Sequence, residues 1–294
     1  MQLGVSLEPP PWTAEDGDRV LRTAQEAEQL GLDYVLMSSH MLRNPIGSAL
    51  DPFVTLAAVA GATSRIRLAT SVLVVPYYDP VMLANTAASL DVLSCGRFVL
   101  AAGTGWNPQE FEAVGVPLSQ RGARTDEYLQ IVRKLWGTEP VTYAGRFTQL
   151  HKAVAGVRPR THGGPPVWIG GHSEAALRRT VRFADGWLGR GIDHVIAEHV
   201  RSRLADLGDQ SGRDSSTLTL ATVVFLIPPG FPTTQPAPGR LAGGSQPTRD
   251  SIIDDLARLQ EAGVSMCSLW IPLDGSGLRE ALHWVAEELK PALP

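Results

Sequence analysis

The stretch Pro166-Val167-Trp168-Ile169-Gly170-Gly171-His172-Ser173-Glu174 decides how the chain is read. Its first half is apolar without alternation, as in a strand covered on both faces, and it breaks on two glycines into Ser173, a residue type that caps helices. Helical spacing continues from Ser173 to Phe183, and Ala184-Asp185-Gly186-Trp187 then leads into a second short apolar strand near 187–189. Strand, helix and strand in so short a span form a βαβ unit, whose two strands lie parallel.

Working outward, the same unit recurs. Toward the N-terminus, the apolar run 2–7 precedes a helix start at Thr13-Ala14-Glu15-Asp16, which continues through Val20, Leu21, Ala24, Ala27, Glu28 and Leu30 and stops at Gly31. Strands follow at 32–37, 66–75 and 97–102. Helices are opened by Asp51-Pro52 and Asp79-Pro80, with further helical stretches at 107–114 and 121–136. Toward the C-terminus, helices at 193–207, 248–262 and 278–289 alternate with strands at 218–227 and 265–271. With 107–114 and 121–136 counted as one crossover, eight strands and eight helices over 294 residues predict an α/β fold, one closed (β/α)8 TIM barrel spanning 1–294, with no linker and no internal repeat. Two segments exceed ordinary loops: an irregular, Pro/Gly-rich insertion at 138–164, and 228–247, which holds Pro228-Pro229-Gly230 and Gly243-Gly244. The second follows the seventh strand on the face where barrels do chemistry, so it reads as a lid, with a disordered surface insertion as the alternative.

Composition narrows the function classes. Hydrophobic residues make 44% and charged residues 19% of the chain, enough apolar material for a core. The formal charge is −4 with no block of like charges, which argues against nucleic acid or an anionic membrane as partner. The N-terminus has no basic stretch ahead of an apolar segment, and no run of about 18 apolar residues follows, so the expectation is a soluble cytoplasmic protein. Cys95 and Cys267 have neither metal nor redox spacing, and each is expected as a small buried thiol. The histidines at 151, 162, 172, 194, 199 and 283 also lack metal spacing, so no metal is expected. Arginine outnumbers lysine 23 to 3, and Ala, Gly and Pro are abundant, the mark of a GC-rich genome.

Barrel chemistry sits at the C-terminal ends of strands, which confines the search to four corners: Ser38-Ser39-His40, Thr70-Ser71-Val72, Gly103-Thr104-Gly105-Trp106-Asn107 and Gly170-Gly171-His172-Ser173. Gly170 and Gly171 allow close backbone approach, and the helix opened by Ser173 offers free N–H groups, together a phosphate site or a plain capped turn. Gly103-Thr104-Gly105 begins like a dinucleotide fingerprint, but Pro108 stands near the third glycine, so a Rossmann reading fails. A flat aromatic cofactor could pass over these glycines, and a bare turn is the alternative. His40 is a candidate general acid or base, or a hydrogen-bond partner for a cofactor carbonyl. Gly171-His172-Ser173-Glu174-Ala175 nearly matches a nucleophile elbow, but the histidine it would need, His283, falls in the last amphipathic helix, and a hydrolase is set aside.

With these residues on the page, the chain resembles the bacterial luciferase-like superfamily, whose barrels include flavin monooxygenases and F420-dependent oxidoreductases. The resemblance rests on Leu68-Ala69-Thr70-Ser71-Val72-Leu73, on Gly103-Thr104-Gly105-Trp106 with Glu110-Phe111, and on Pro166 to Ser173 running into Ala184-Asp185-Gly186-Trp187. It implies an insertion-bearing barrel, a homodimer, and a flavin or deazaflavin ring against the third strand, with a non-prolyl cis peptide at Ser71-Val72. The implied cofactor residues are Ser39, Ser71, Val72, Gly103, Gly105, Asn107, Gly170, Gly171, His172 and Ser173, with His40 near the redox centre. The implied substrate pocket is built by Glu8, Trp12, Trp106 and residues 228–247. Two departures matter: Ser39 stands where relatives often carry an acid, and Trp106 where F420-dependent sugar-phosphate dehydrogenases carry a Glu. A glucose-6-phosphate substrate is therefore disfavoured.

The resulting expectation is an F420-dependent oxidoreductase that passes a hydride between the deazaflavin and a small organic substrate. The alternatives are an FMN monooxygenase, which uses reduced flavin from a separate reductase together with O2, and a flavin- or deazaflavin-binding protein without turnover.

Overall fold

The strands pair in chain order. β1 (Gln2–Ser6) lies between β2 (Tyr34–Met37) and the last strand, β11 (Met266–Trp270). β2 continues to β3 (Arg67–Thr70), and β3 to β5 (Phe98–Gly103). The ring then runs through β8 (Val167–Gly170), β9 (Gly186–Arg190) and β10 (Thr219–Phe225) back to β11, all parallel. This is the closed eight-stranded barrel that the alternating pattern predicts. The computed structural model describes residues 1–7, 17–42, 49–232, 237–273 and 275–293.

The strands are apolar on both faces because both faces are covered. Residues such as Leu3, Val5, Val35, Leu68, Leu100 and Ile169 are buried outward against the helices. The alternate residues, Tyr34, Leu36, Ala69, Val99, Trp168, Val223 and Trp270 among them, fill the interior. The outer layer consists of α1 (Arg19–Gln29), α2 (Pro52–Ala62), α3 (Pro80–Leu93), α4 (Pro108–Ala113), α5 (Arg121–Leu135), α6 (Glu174–Phe183), α7 (His194–Ser211), α8 (Arg249–Glu261) and α9 (Gly275–Trp284). The Asp-Pro pairs do what their chemistry predicts. Asp51 and Asp79 accept the free N–H groups of Val54 and of Val81 and Met82, and each following proline fits the first helical position. The predicted first helix start, 13–16, lies outside the described residues.

The third barrel strand is interrupted. A short β4 (Leu73–Val74) resumes the pairing with β5 after β3 ends. Between the pairs Ala69↔Val99 and Leu73↔Ala102, one strand advances four residues and the other three, so the β3–β4 run carries one extra residue, a bulge. The Ser71-Val72 peptide within it is cis, at the position the resemblance implied.

Three expectations need correction. The 138–164 insertion is not irregular throughout, for it contains an antiparallel hairpin, β6 (Val141–Ala144) and β7 (Gln149–Ala153). Buried Glu127 on α5 holds its turn by accepting the N–H groups of Arg146 and Phe147, a tertiary anchor that no local pattern announces. Cys95 is exposed, not buried: it sits at φ 56° in the turn that ends α3, and only Cys267 is enclosed. The adjacent carboxylates Asp254 and Asp255 fit a solvated helix face by sequence alone, but Asp255 clamps the segment after β10, accepting from Arg240 and from the Gly243 N–H. Residues 233–236 of the 228–247 segment lie outside the described residues, and the lid reading remains a proposal. Among the described residues, no helix is long and apolar enough to cross a membrane, and no cluster of His, Cys, Asp and Glu could hold a metal.

Candidate active site

At the C-terminal mouth the inward side chains shrink to Ser6, Ser38, Gly103 and Gly170, leaving a cavity of about 300 Å3. Deeper down, Tyr34 and Trp168 pack with ring centroids 5.8 Å apart, and Arg67 donates to the Tyr34 hydroxyl at 2.9 Å, so the barrel is plugged from below. The cavity is of the size and apolar lining that suit a small ligand or one part of a larger one.

The β3–β4 bulge directs Val72 into this cavity. The Ser39 hydroxyl donates to the Val72 carbonyl at 2.9 Å and accepts the Val74 N–H at 3.1 Å, while the Ser71 N–H donates to the Met37 carbonyl at 2.8 Å. Ser39 therefore grips the backbone just after Val72, the Ser71–Met37 bond holds it just before, and the Ser39 hydroxyl is engaged in shaping the bulge. A Cβ on Gly103 would come within 2.5 Å of Val72 Cγ2, and one on Gly170 within 2.6 Å of Val72 Cγ1. Both glycines line the cavity, and they also make room for Val72, which presents its branched apolar surface to it. Gly105, at φ +76°, clears Val74 and Phe111 in the same way.

Gly171 differs. Its φ of +112° requires glycine, and the nearest atom to an added Cβ is Ala176 Cβ at 3.5 Å, so space in front of it is open. Its carbonyl is fixed by the Trp187 indole N–H at 2.8 Å. His172 lines the cavity beside it, edge-on to Trp187 at 5.6 Å. Partial desolvation holds the His172 imidazole below its ordinary pKa, opposed by a hydrogen bond with the Arg190 backbone. The Ser173 side chain accepts the Ala176 N–H as the cap of α6, and Asn107 accepts the Gln109 N–H as the cap of α4. Neither lines the cavity, so the structure does not bring these two predicted residues to it.

Arg190, which the sequence reading passed over, ends β9 on the rim beside His172, its guanidinium 5.4 Å from the Phe225 ring centroid. A single arginine between glycines at a strand end was the available signal. His40 lines the opposite side, packed edge-on to Trp106 with ring centroids 5.5 Å apart, and the Trp106 side chain is half exposed. Its Nδ1 lies 3.4 Å from Oε2 of Glu110, a carboxylate with 0% exposure that appeared in the sequence reading only as part of a motif. Glu110 also accepts the Leu42 N–H and the Tyr77 hydroxyl, both at 3.1 Å. Burial together with the adjacent Glu110 carboxylate pushes the Tyr77 phenol far above its usual range, so it remains a protonated donor. Glu8 and Trp12 lie outside the described residues.

The sequence model of the luciferase-like monooxygenase family matches residues 1–228. An uncharacterised protein of Mycobacterium tuberculosis is 38% identical over 61% of this chain and 63% of its own length. An F420-dependent glucose-6-phosphate dehydrogenase of Kineococcus radiotolerans is 34% identical over 65% of this chain and 58% of its own. The matches thus span slightly less than two thirds of these curated relatives. In fold, the crystal structure of monooxygenase RslO1 from Streptomyces bottropensis superposes with a TM-score of 0.84 at 22% identity, covering 99% of both chains.

Proposed function

Because this chain belongs to the luciferase-like monooxygenase family, we propose that its barrel mouth binds coenzyme F420 and that it transfers a hydride between this deazaflavin and a small organic substrate. Membership makes it an enzyme of the luciferase-like oxidoreductase and monooxygenase class, in which F420-using and monooxygenase relatives both occur. The observation that carries the proposal is the pairing, in one cavity, of an apolar step at Val72 with an open, cationic rim at Gly171 and Arg190. That arrangement fits a flat ring joined to a phosphate. The 34% identical F420-dependent relative supports F420 over FMN. The departure at Trp106, and the absence of a carboxylate at position 39, argue against a sugar phosphate as the substrate.

When bound, F420 supplies hydride chemistry at its ring carbon C5. The protein's contributions follow from its own residues. Val72, braced by Ser39, would support the ring; the Gly171 turn and Arg190 would hold the anionic end. His40 stands where it can accept or return a proton at Nε2, and Trp106 and Trp270 limit water in the cavity. FMN with O2 is the second reading, favoured by the family's monooxygenase members, and would require a separate reductase.

Fluorescence titration of the purified protein with F420 and with FMN separates these readings. Tight F420 binding with weak FMN binding supports hydride transfer, and the reverse replaces it with oxygenation. Binding of neither removes the redox assignment. Bound F420 without turnover across electrophilic small molecules would leave a binding protein.

We also propose that the protein is a homodimer through α2 and α3. Their outward side chains Val54, Met82 and Leu93 are 72%, 69% and 65% exposed, and the only charged residue of the two helices, Asp91, is buried. An uncharged apolar face is self-complementary, which a two-fold contact requires. Light scattering should give a dimer that Met82→Glu converts to monomer, and a monomeric wild type would refute it.

A further inference from the structure

Glu110 is a fully buried carboxylate whose place in the site is not explained by packing alone. A buried carboxylate is tolerated only where hydrogen-bond donors surround it, and an amide or a leucine would fill the same space at lower desolvation cost. The donors here are specific. Oε1 takes the Leu42 N–H, at the start of the segment after His40. Oε2 takes the Tyr77 hydroxyl, which burial and Glu110 itself keep protonated. The remaining contact of Oε2 is His40 Nδ1 at 3.4 Å, a long separation of the kind that tightens when a ligand closes a site. Among the described residues no lysine or arginine forms an ion pair with Glu110, and its Oε2 faces the His40 imidazole.

We propose that Glu110 is a positioning residue that fixes the tautomer of His40, holding the proton on Nδ1 so that the Nε2 lone pair faces the cavity, with Tyr77 and the Leu42 amide holding the carboxylate in place. In the neutral ring, Nδ1–H donates to Glu110 and Nε2 is a bare acceptor. When Nε2 takes a proton, the imidazolium formed lies against a carboxylate, and the pair is neutral overall. The proton leaves by the same atom. Glu110 touches neither substrate nor cofactor and acts only through His40. This rests on the proposed role of His40, but its test does not need a cofactor.

The test is 15N spectroscopy of the full-length protein, selectively labelled at histidine, with the His40 signals assigned by their loss in His40→Asn. Above the pH at which the ring loses its charge, wild type should show a protonated Nδ1 and a bare Nε2. Glu110→Ala should move the ring toward the Nε2–H form that unrestrained histidine favours. Glu110→Gln, which can still accept through its amide oxygen, should keep the tautomer yet lose the charge, lowering kcat at least tenfold with KM within twofold. Should Glu110→Ala not fold, Tyr77→Phe carries the test: it should leave the tautomer intact and shift the Nδ1 proton resonance as the carboxylate loses its other donor. An Nε2–H tautomer in wild type, or His40 signals that none of these variants alters, would overturn the proposal. Failure of F420 and FMN to bind would sink the redox reading and leave the tautomer result standing.

Discussion

Replacing Gly103 with alanine tests whether glycine at that position serves Val72. The new Cβ would lie 2.5 Å from Val72 Cγ2, at least about 1 Å inside the ~3.5–4.0 Å of an ordinary carbon contact. β5 cannot retreat, because Phe98, Leu100 and Ala102 are fully buried on its outer face. Val72 must therefore move, although its backbone is held after it by Ser39 and before it by the Ser71–Met37 hydrogen bond. Overpacking of this kind costs about 1–3 kcal/mol, which for a chain of this size lowers Tm by about 2–6 °C. Val72→Ala alone should lose about 1 kcal/mol of partly buried methyl surface. In the double variant the Cβ atoms would meet at 3.4 Å, a contact that small adjustments relieve. It should therefore be no less stable than Val72→Ala alone, a coupling of about 1–3 kcal/mol between the sites. Urea denaturation of the four proteins, followed by far-UV circular dichroism, measures this directly. Costs that simply add, to within about 0.5 kcal/mol, would show that Gly103 is not there to admit Val72.

Gly171→Val should weaken cofactor binding at least tenfold, about 1.4 kcal/mol, because it crowds the turn and forces a branched residue to φ +112°. Unchanged affinity in the fluorescence titration would remove this turn from the phosphate site. Arg190→Gln should lower affinity for F420 about tenfold to a hundredfold, the range of a charge-assisted hydrogen bond. Affinity for a deazaflavin chromophore without the phosphate should be spared, and equal losses for both ligands would place Arg190 elsewhere. Glu28 predicts an acid limb in stability. Partial burial raises its pKa, but the N–H groups of Ile66, Arg65 and Ser64 outweigh that and lower it from 4.5 to about 2. A depressed carboxylate stabilises the fold above its unfolded pKa, and that stability is lost as pH falls from about 4.5 through about 2. Glu28→Gln should therefore be less stable than wild type near neutrality by about 1–2 kcal/mol, allowing for solvent screening of this half-exposed group. The gap should begin to narrow below about pH 4.5 and close only as pH falls through about 2 in chemical denaturation, and a gap independent of pH would contradict the assignment.

What could be read from the sequence is what local chemistry controls. The doubly apolar runs predict buried parallel strands, the Asp-Pro and Ser starts predict capped helices, and the eightfold alternation predicts a closed barrel. The four loop corners then carry the site. These signals act over a few residues and survive without knowledge of neighbours. The motif at 170–173 is legible for the same reason, since a glycine break followed by a capping serine is one local device.

The tertiary structure decided what faces what. Gly103 and Gly170 read as space for a ligand and do line the cavity, but only the fold shows that β5 and β8 also bring both against Val72, which needs the room their missing side chains leave. Ser39 reads as a missing acid, and the fold turns its hydroxyl onto the backbone around Val72. Asn107 and Ser173 spend their side chains on helix caps. His40 and Glu110 lie 70 residues apart, on different strand–helix units, and only the side-by-side pairing of β2, β3 and β5 sets them within reach. Arg190 acquires meaning only because β9 ends beside the turn after β8. Propensity and capping are properties of a segment, whereas the partner of a buried charge or the occupant of a glycine's missing side chain is a property of packing between segments. That is why the barrel follows from the sequence by itself, and the constellation at its mouth from the fold.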